Sequence, residues 1–128
     1  MAEPMTLLIT DDDRDFRESL GEILSRRGFV TLMADSGHRA LEIVQSCSVE
    51  LVMMDVHMPL MSGLETLAEI RRRSLTIPSI LMSAKLDEGI LAEARTLKTE
   101  EVLAKPFSIA LLTTTINKAL KRDFNGPK

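Results

Sequence analysis
The stretch "TLLITDDDRDFRESLGEIL", residues 6–24, changes character twice. Residues 6–10 form a short apolar run suited to a buried strand. Asp11, Asp12 and Asp13 then interrupt it with three adjacent carboxylates. From Phe16 onward the apolar residues return at helical spacing, as Phe16, Leu20, Ile23 and Leu24. Arg26 and Arg27 close that segment and Gly28 follows, the order expected of a helix C-terminus and its cap. Asp13 stands where a helix N-cap belongs, and Asp15 and Glu18 favour the same end of the helix dipole. The stretch is therefore one strand–helix unit with a surplus of acids at the junction.

The same alternation recurs along the chain. Further apolar runs lie at 30–34, 51–55, 79–83 and 102–104. Helical stripes follow them: Ala40, Val44 and Cys47 flanked by Leu41 and Ile43; Leu64, Leu67, Ala68 and Ile70; a weaker Ile90, Leu91 and Ala94; and Leu112, Ile116, Ala119 and Leu120. Arg71 to Arg73, then Lys121 and Arg122, close two of these segments and read as solvated helix ends. The strand runs are too uniformly apolar for a sheet with one wet face. Five strand–helix units with parallel strands imply an α/β doubly wound sheet with helices on both faces. Residues 6–122 form the single domain, 1–5 an N-terminal extension and 123–128 a C-terminal tail.

Composition narrows the function classes. The chain has 128 residues, 45% of them hydrophobic, which suits one domain with one real core. A net charge of −3 disfavours general nucleic-acid or anionic-membrane binding. No apolar run reaches membrane-spanning length and the N-terminus lacks a secretory pattern, so the sequence reads as cytoplasmic. The single Cys47 excludes an internal disulfide and reads as a small buried hydrophobe near a helix end.

In a doubly wound sheet the functional site lies at the carboxyl ends of the strands. Strand one ends at Asp11–Asp13, strand three at Asp55, strand four at Ser83 and strand five at Lys105 followed by Pro106. Strand two ends at Asp35 and Ser36, which suit a turn or cap. Carboxylates from two strands make a hard oxygen site suited to Mg²⁺ with waters and a phosphate oxygen. A lysine can neutralise phosphoryl charge and a hydroxyl can donate to a phosphoryl oxygen. A carboxylate facing them can attack phosphorus and become an acyl phosphate. Each residue alone has an ordinary structural reading; their joint placement favours the chemistry. There is no P-loop and no dinucleotide glycine motif.

At the level of motifs, "LLITDDDRDFRESL", "LVMMDVHMPLMSGLE", "SILMSAK" and "VLAKPF" resemble the signature blocks of response-regulator receiver domains, the CheY-like phosphoacceptor switches of two-component signalling. The resemblance spans roughly residues 6–122 and implies a flavodoxin-like strand order 2-1-3-4-5. It implies that Asp55 is phosphorylated by a histidine kinase, a histidine phosphotransfer protein or a small donor such as acetyl phosphate. Asp11, Asp12 and Asp55 would hold Mg²⁺, with Mn²⁺ as a substitute, and His57 would add its backbone carbonyl. Ser83 and Lys105 would engage the phosphoryl group, and Pro106 would follow a cis peptide bond. Pro59 and Gly63 would shape the loop into the third helix. Output would pass through helix four, strand five and helix five to a further protein, without direct nucleic-acid or membrane contact. The tail "RDFNGPK" is too short to be an effector domain.

Three departures from the family pattern matter. Val102 replaces the usual aromatic switch residue, so Ser83 and Val102 are the switch pair here. Lys98 and Thr99 stand where a glycine turn is common, ahead of Glu100 and Glu101. His57 and Lys85 occupy positions that tune dephosphorylation in the family. Two other classes compete with this reading. A pseudo-receiver would keep the fold as a binding module without phosphorylation, but would have little reason to hold repelling carboxylates together. A Mg²⁺-dependent aspartyl-nucleophile phosphatase needs an acid two residues after the nucleophile, where this chain has His57. The chain is therefore expected to be a regulatory phosphoacceptor rather than an enzyme.

Overall fold
A computed structural model describes residues 3–121. Its elements alternate without exception: β1 (Thr6–Thr10), α1 (Arg14–Arg26), β2 (Val30–Ala34), α2 (Gly37–Ser46), β3 (Leu51–Asp55), α3 (Gly63–Arg72), β4 (Ser79–Ser83), α4 (Glu88–Thr96), β5 (Glu101–Ala104) and α5 (Ile109–Ala119). All strand pairs are parallel, in the order β2-β1-β3-β4-β5. The tail and Arg122 lie outside the described residues.

Strand parity explains the uniformly apolar runs, because successive side chains enter opposite cores. Leu7, Ile9, Leu51, Met53, Ile80 and Met82 pack with Leu20 and Leu24 of α1 and Leu112 and Ile116 of α5. Leu8, Val52, Met54 and Leu81 pack on the other face with α2, α3 and Ala94 of α4. Central β3 and β4 are buried at every position. The edges are wetter. Val30 of β2 is 44% exposed, and Glu101 and Ala104 of β5 face solvent. The reading of strands covered on both sides therefore holds at the centre and relaxes at both edges.

Local chemistry sets the helix ends. The side chains of Asp13, Ser36, Ser62, Asp87 and Ser108 cap α1 to α5 in turn by accepting a backbone N–H in the first turn. Gly28, just past α1, takes φ +95°, a conformation glycine adopts at little cost. The corresponding turn after α4 uses Lys98 at φ 59° instead of glycine. Thr99 secures that loop: its Oγ1 donates to Ser79 O at 2.9 Å and accepts from Ser79 Oγ at 3.0 Å.

Two sequence expectations need correction. Cys47 is exposed. The helix ends at Ser46 and the chain turns extended at Cys47, so the buried stripe ends at Val44. Arg71 is not a solvated helix end. Its half-buried guanidinium donates to Leu97 O (2.9 Å), Leu75 O (3.1 Å), Ile77 O (2.8 Å) and Ser79 Oγ (3.2 Å). Burial lowers its pKa, and the charge of Glu100 partly opposes this. Arg72 and Arg73 do fit the earlier reading. They pair with Glu69, whose carboxyl is held down to about 2, chiefly by its hydrogen bonds to Arg72 and then Arg73.

Arg71 thus fastens the end of α3 to β4 and to the end of α4. Arg71→Ala should lower unfolding free energy by about 2–3 kcal/mol, because three half-buried carbonyls lose a charged donor. Arg71→Lys should recover less than half of that, since an ammonium cannot reproduce the planar fork. Urea titrations beside Arg72→Ala check this: equal midpoint losses for Arg71→Ala and Arg72→Ala would show that the fastening contributes nothing.

Candidate functional site
The site forms where β1, β3, β4 and β5 end. Asp11 follows β1, and its N–H donates to Ala34 O at 3.1 Å, so the ladder with β2 extends to it. Asp55 is the last residue of β3. Beyond it Val56 N–H donates to Met82 O at 2.8 Å, holding the carboxylate at the sheet's end. Lys105 follows β5, and its N–H donates to Ser83 O at 2.8 Å. The Lys105–Pro106 peptide is cis.

These elements gather the acids. Carboxylate oxygens of Asp11, Asp12 and Asp55 lie within 4.8 Å of one another. Asp11 and Asp55 are buried, whereas Asp12 faces solvent. Lys105 Nζ sits 2.7 Å from Asp11 Oδ2 and 3.1 Å from Asp55 Oδ1. It also lies 4.0 Å from the centroid of the Phe16 ring. Phe107 meets that ring edge-on, with centroids 6.1 Å apart. The cation is attracted to the face of Phe16, and Phe107 packs against that ring.

The three consecutive aspartates divide their work. Asp11 Oδ1 accepts the Asp13 N–H at 2.9 Å while Oδ2 accepts from Lys105. Its backbone carbonyl accepts from Arg17 Nη1 at 2.7 Å. Asp12 contributes to the acidic group from its open side. Asp13 turns away and accepts the Phe16 N–H at 3.2 Å.

Electrostatics follow from this packing. Burial pushes the Asp55 carboxyl above its ordinary value; Asp11 adds to the push, Lys105 opposes it, and Asp12 adds a smaller push. Burial also disfavours the Lys105 ammonium, but hydrogen bonds and charge from Asp11 and Asp55 outweigh that and hold its pKa above the ordinary value. Three carboxylates face one ammonium, leaving a negative surplus that a divalent cation would neutralise. The all-oxygen donor set suits hard Mg²⁺ or Mn²⁺ rather than a thiophilic metal.

Ser83 is fully buried at the end of β4, one residue beyond Met82, the register partner of Asp55. Its hydroxyl lies 3.1 Å from His57 Nε2 and donates to Lys85 O at 2.8 Å. Val102 is half-buried against the core on the α2–α4 face. The loop from Asp55 to α3 closes tightly: Gly63 N–H donates to Val56 O at 2.8 Å, and Ser62 and Glu65 form a reciprocal capping box.

In sequence, Phe16 belongs to a helical stripe and to one signature block, and Phe107 to another. Their contact, and that of Phe16 with Lys105, depends on α1 and the β5–α5 loop meeting in space, and the chain shows no period that reports this. The His57 contact with Ser83 was likewise missed, because it joins residues 26 apart, one in the loop after β3 and one at the end of β4.

Known proteins share both sequence and shape. Residues 7–117 match the sequence model of the family described as "Response regulator receiver domain". Response regulator RR06 of Streptococcus pneumoniae is 34% identical over 118 residues, covering 92% of this chain and 54% of that protein. The chain spans about half the length of several curated relatives it matches. Among solved structures, the response regulator TrrA from Thermotoga maritima, in complex with Mg²⁺-BeF, superposes with a TM-score of 0.80 at 30% identity. That match covers 90% of this chain and 98% of the other. A response regulator receiver protein from Pseudomonas putida gives a TM-score of 0.87 at 26% identity, covering 92% and 99%.

Proposed function
The chain belongs to the response-regulator receiver domain family, and from that premise we propose that it is a Mg²⁺-dependent phosphoacceptor switch acting through Asp55. The observation that carries this reading is the group of Asp11, Asp12 and Asp55, gathered from two strand ends and faced by Lys105.

An Asp55 carboxylate oxygen attacks the phosphorus of a phosphohistidine or of acetyl phosphate. The new P–O bond forms in line as the donor's P–N or P–O bond breaks, and the leaving group keeps that electron pair. Asp11, Asp12 and Asp55, with the main-chain carbonyl of His57, would hold Mg²⁺, which supplies charge compensation at the phosphoryl oxygens. Lys105 pairs with the phosphoryl group from the β5 side. The Phe16 ring, itself packed edge-on by Phe107, lies against its ammonium and favours a position close to the reacting centre. Ser83 donates its hydroxyl to a phosphoryl oxygen.

The output follows from the same positions. Residues 6–122 act as the receiver unit. Ser83 leads into the β4–α4 loop, and Val102 lies on β5 three residues before Lys105. Val102 also lines a surface groove of about 260 Å³ between α4 and β5, with Leu91, Ala94, Arg95 and Glu101. A shift of α4 relative to β5 would reshape this groove, where a further protein or an attached output domain would bind. The phosphoryl source would be a histidine kinase or a histidine phosphotransfer protein. Among the described residues no helix is long and apolar enough to cross a membrane.

Incubation with acetyl phosphate and Mg²⁺, read by intact mass spectrometry, tests the reading. Wild-type protein should gain one phosphoryl group, Asp55→Asn none, and excess chelator should abolish the gain. Absence of labelling under conditions that label a control receiver domain would falsify it.

A further inference from the structure
The buried Ser83 hydroxyl has no free capacity. Its single hydrogen goes to Lys85 O at 2.8 Å, because a carbonyl can only accept. Lys85 N–H donates to the same oxygen at 3.1 Å. His57 Nε2, at 3.1 Å, fills the remaining lone pair, and the network assigns it as the Nε2–H donor. In the proposed function the same hydroxyl must donate to a phosphoryl oxygen, so it has to leave Lys85 O first.

We infer that His57 is a latch on the switch hydroxyl: its side chain holds Ser83 on its resting partners and thereby sets how readily the β4–α4 loop moves. This rests on the phosphoacceptor reading and deepens it. The latch joins the loop after β3 to the end of β4, so the hydroxyl cannot turn towards the phosphoryl group without loosening both loops. The imidazole is exposed while Ser83 is buried, so water can take over the His57 N–H once Ser83 departs. That keeps the latch weak enough to release. Its role is positioning, separate from the His57 backbone carbonyl, which any side-chain substitution retains.

One neutral hydrogen bond shifts an equilibrium about fivefold. His57→Ala should therefore raise the population of the released loop by about that factor. In metal-free protein, amide exchange of Lys85, whose N–H rests on Ser83 Oγ, should quicken about fivefold by NMR. With Mg²⁺ and beryllium fluoride as the phosphoryl stand-in, apparent affinity should tighten by a similar factor, because the binding-competent state starts more populated. His57→Gln, which retains a donor, should stay near wild type. In a Ser83→Ala background His57→Ala should change neither readout, since the cycle isolates the pair.

The latch is overturned if His57→Ala leaves exchange and affinity unchanged, weakens the affinity, or acts equally with and without Ser83. If the wild type binds no Mg²⁺–beryllium fluoride and takes no phosphoryl group from acetyl phosphate, the phosphoacceptor reading falls and the latch falls with it. Binding by the wild type without the predicted His57 effect removes the latch alone.

Discussion
Gly63→Ala should destabilise the protein by about 3 kcal/mol or more, well beyond ordinary surface changes. A Cβ at Gly63 would stand 2.2 Å from Asp55 O, 2.9 Å from Asp55 C and 3.0 Å from Val56 Cα. All three are backbone atoms of β3 and the residue after it, so no side chain can rotate away. Either α3 retreats or the end of β3 bends, and the strand end that bends carries the proposed phosphoacceptor. The melting temperature should drop by roughly 10 °C or more for a domain of this size. Labelling by acetyl phosphate should fall in the remaining folded protein, because Asp55 is no longer held in register with Met82. Two other glycines serve as controls. At Gly21 the added Cβ would meet Met33 Cε at 1.9 Å, but that is the far end of a flexible side chain. At Gly89, inside α4, the nearest atom is Asp87 Oδ1 at 3.4 Å. Gly89→Ala should stabilise by about 0.5–1 kcal/mol through helix propensity alone. Denaturant titration of the three variants ranks them. A Gly63→Ala midpoint no lower than that of Gly21→Ala would mean the α3–β3 approach tolerates a methyl group.

Sequence pattern revealed the element order because each strand run and each helical stripe carries its own period. Helix starts were similarly accessible, since Asp13 announces a cap before any tertiary contact exists. The sheet edges were not. "VTLMA" is as apolar as "LVMMD", yet β2 is half-wet and β3 is buried, because position in the sheet is fixed only by pairing. Arg71 illustrates a second limit. In sequence it belongs to a run with Arg72 and Arg73, and only the turn after α3 and the approach of Leu97 give it carbonyls to hold. The candidate site was legible as a set of strand ends, since strand direction sends every carboxyl end to one edge. Its internal wiring was not legible. Lys105 against Phe16, and His57 against Ser83, depend on side-chain directions that motif spacing does not encode.

Lys105→Met should produce a stability deficit that grows with pH. The substitution keeps an apolar stem and removes the charge shared by Asp11 and Asp55, whose side chains are 1% and 9% exposed. Removing one partner from a buried ionic group costs about 3–5 kcal/mol, because the remaining charge is left uncompensated. Here Asp55 can relieve the cost by taking up a proton. Burial and Asp11 already raise the Asp55 pKa, with Lys105 opposing; without Lys105 it should rise further. A carboxyl whose folded pKa lies above its unfolded value, 3.8 here, disfavours the folded state when ionised. That cost is absent below the unfolded value and complete above the folded one. The deficit relative to wild type should therefore be small near pH 4 and largest at neutral pH and above. Urea unfolding at several pH values measures it. Mg²⁺ at millimolar concentration should raise the melting temperature of Lys105→Met more than that of wild type, since a divalent cation in the acidic group replaces the lost positive charge. A deficit of equal size at pH 4 and pH 8, unaffected by Mg²⁺, would assign the loss to the ammonium's contact with the Phe16 ring rather than to the carboxylates.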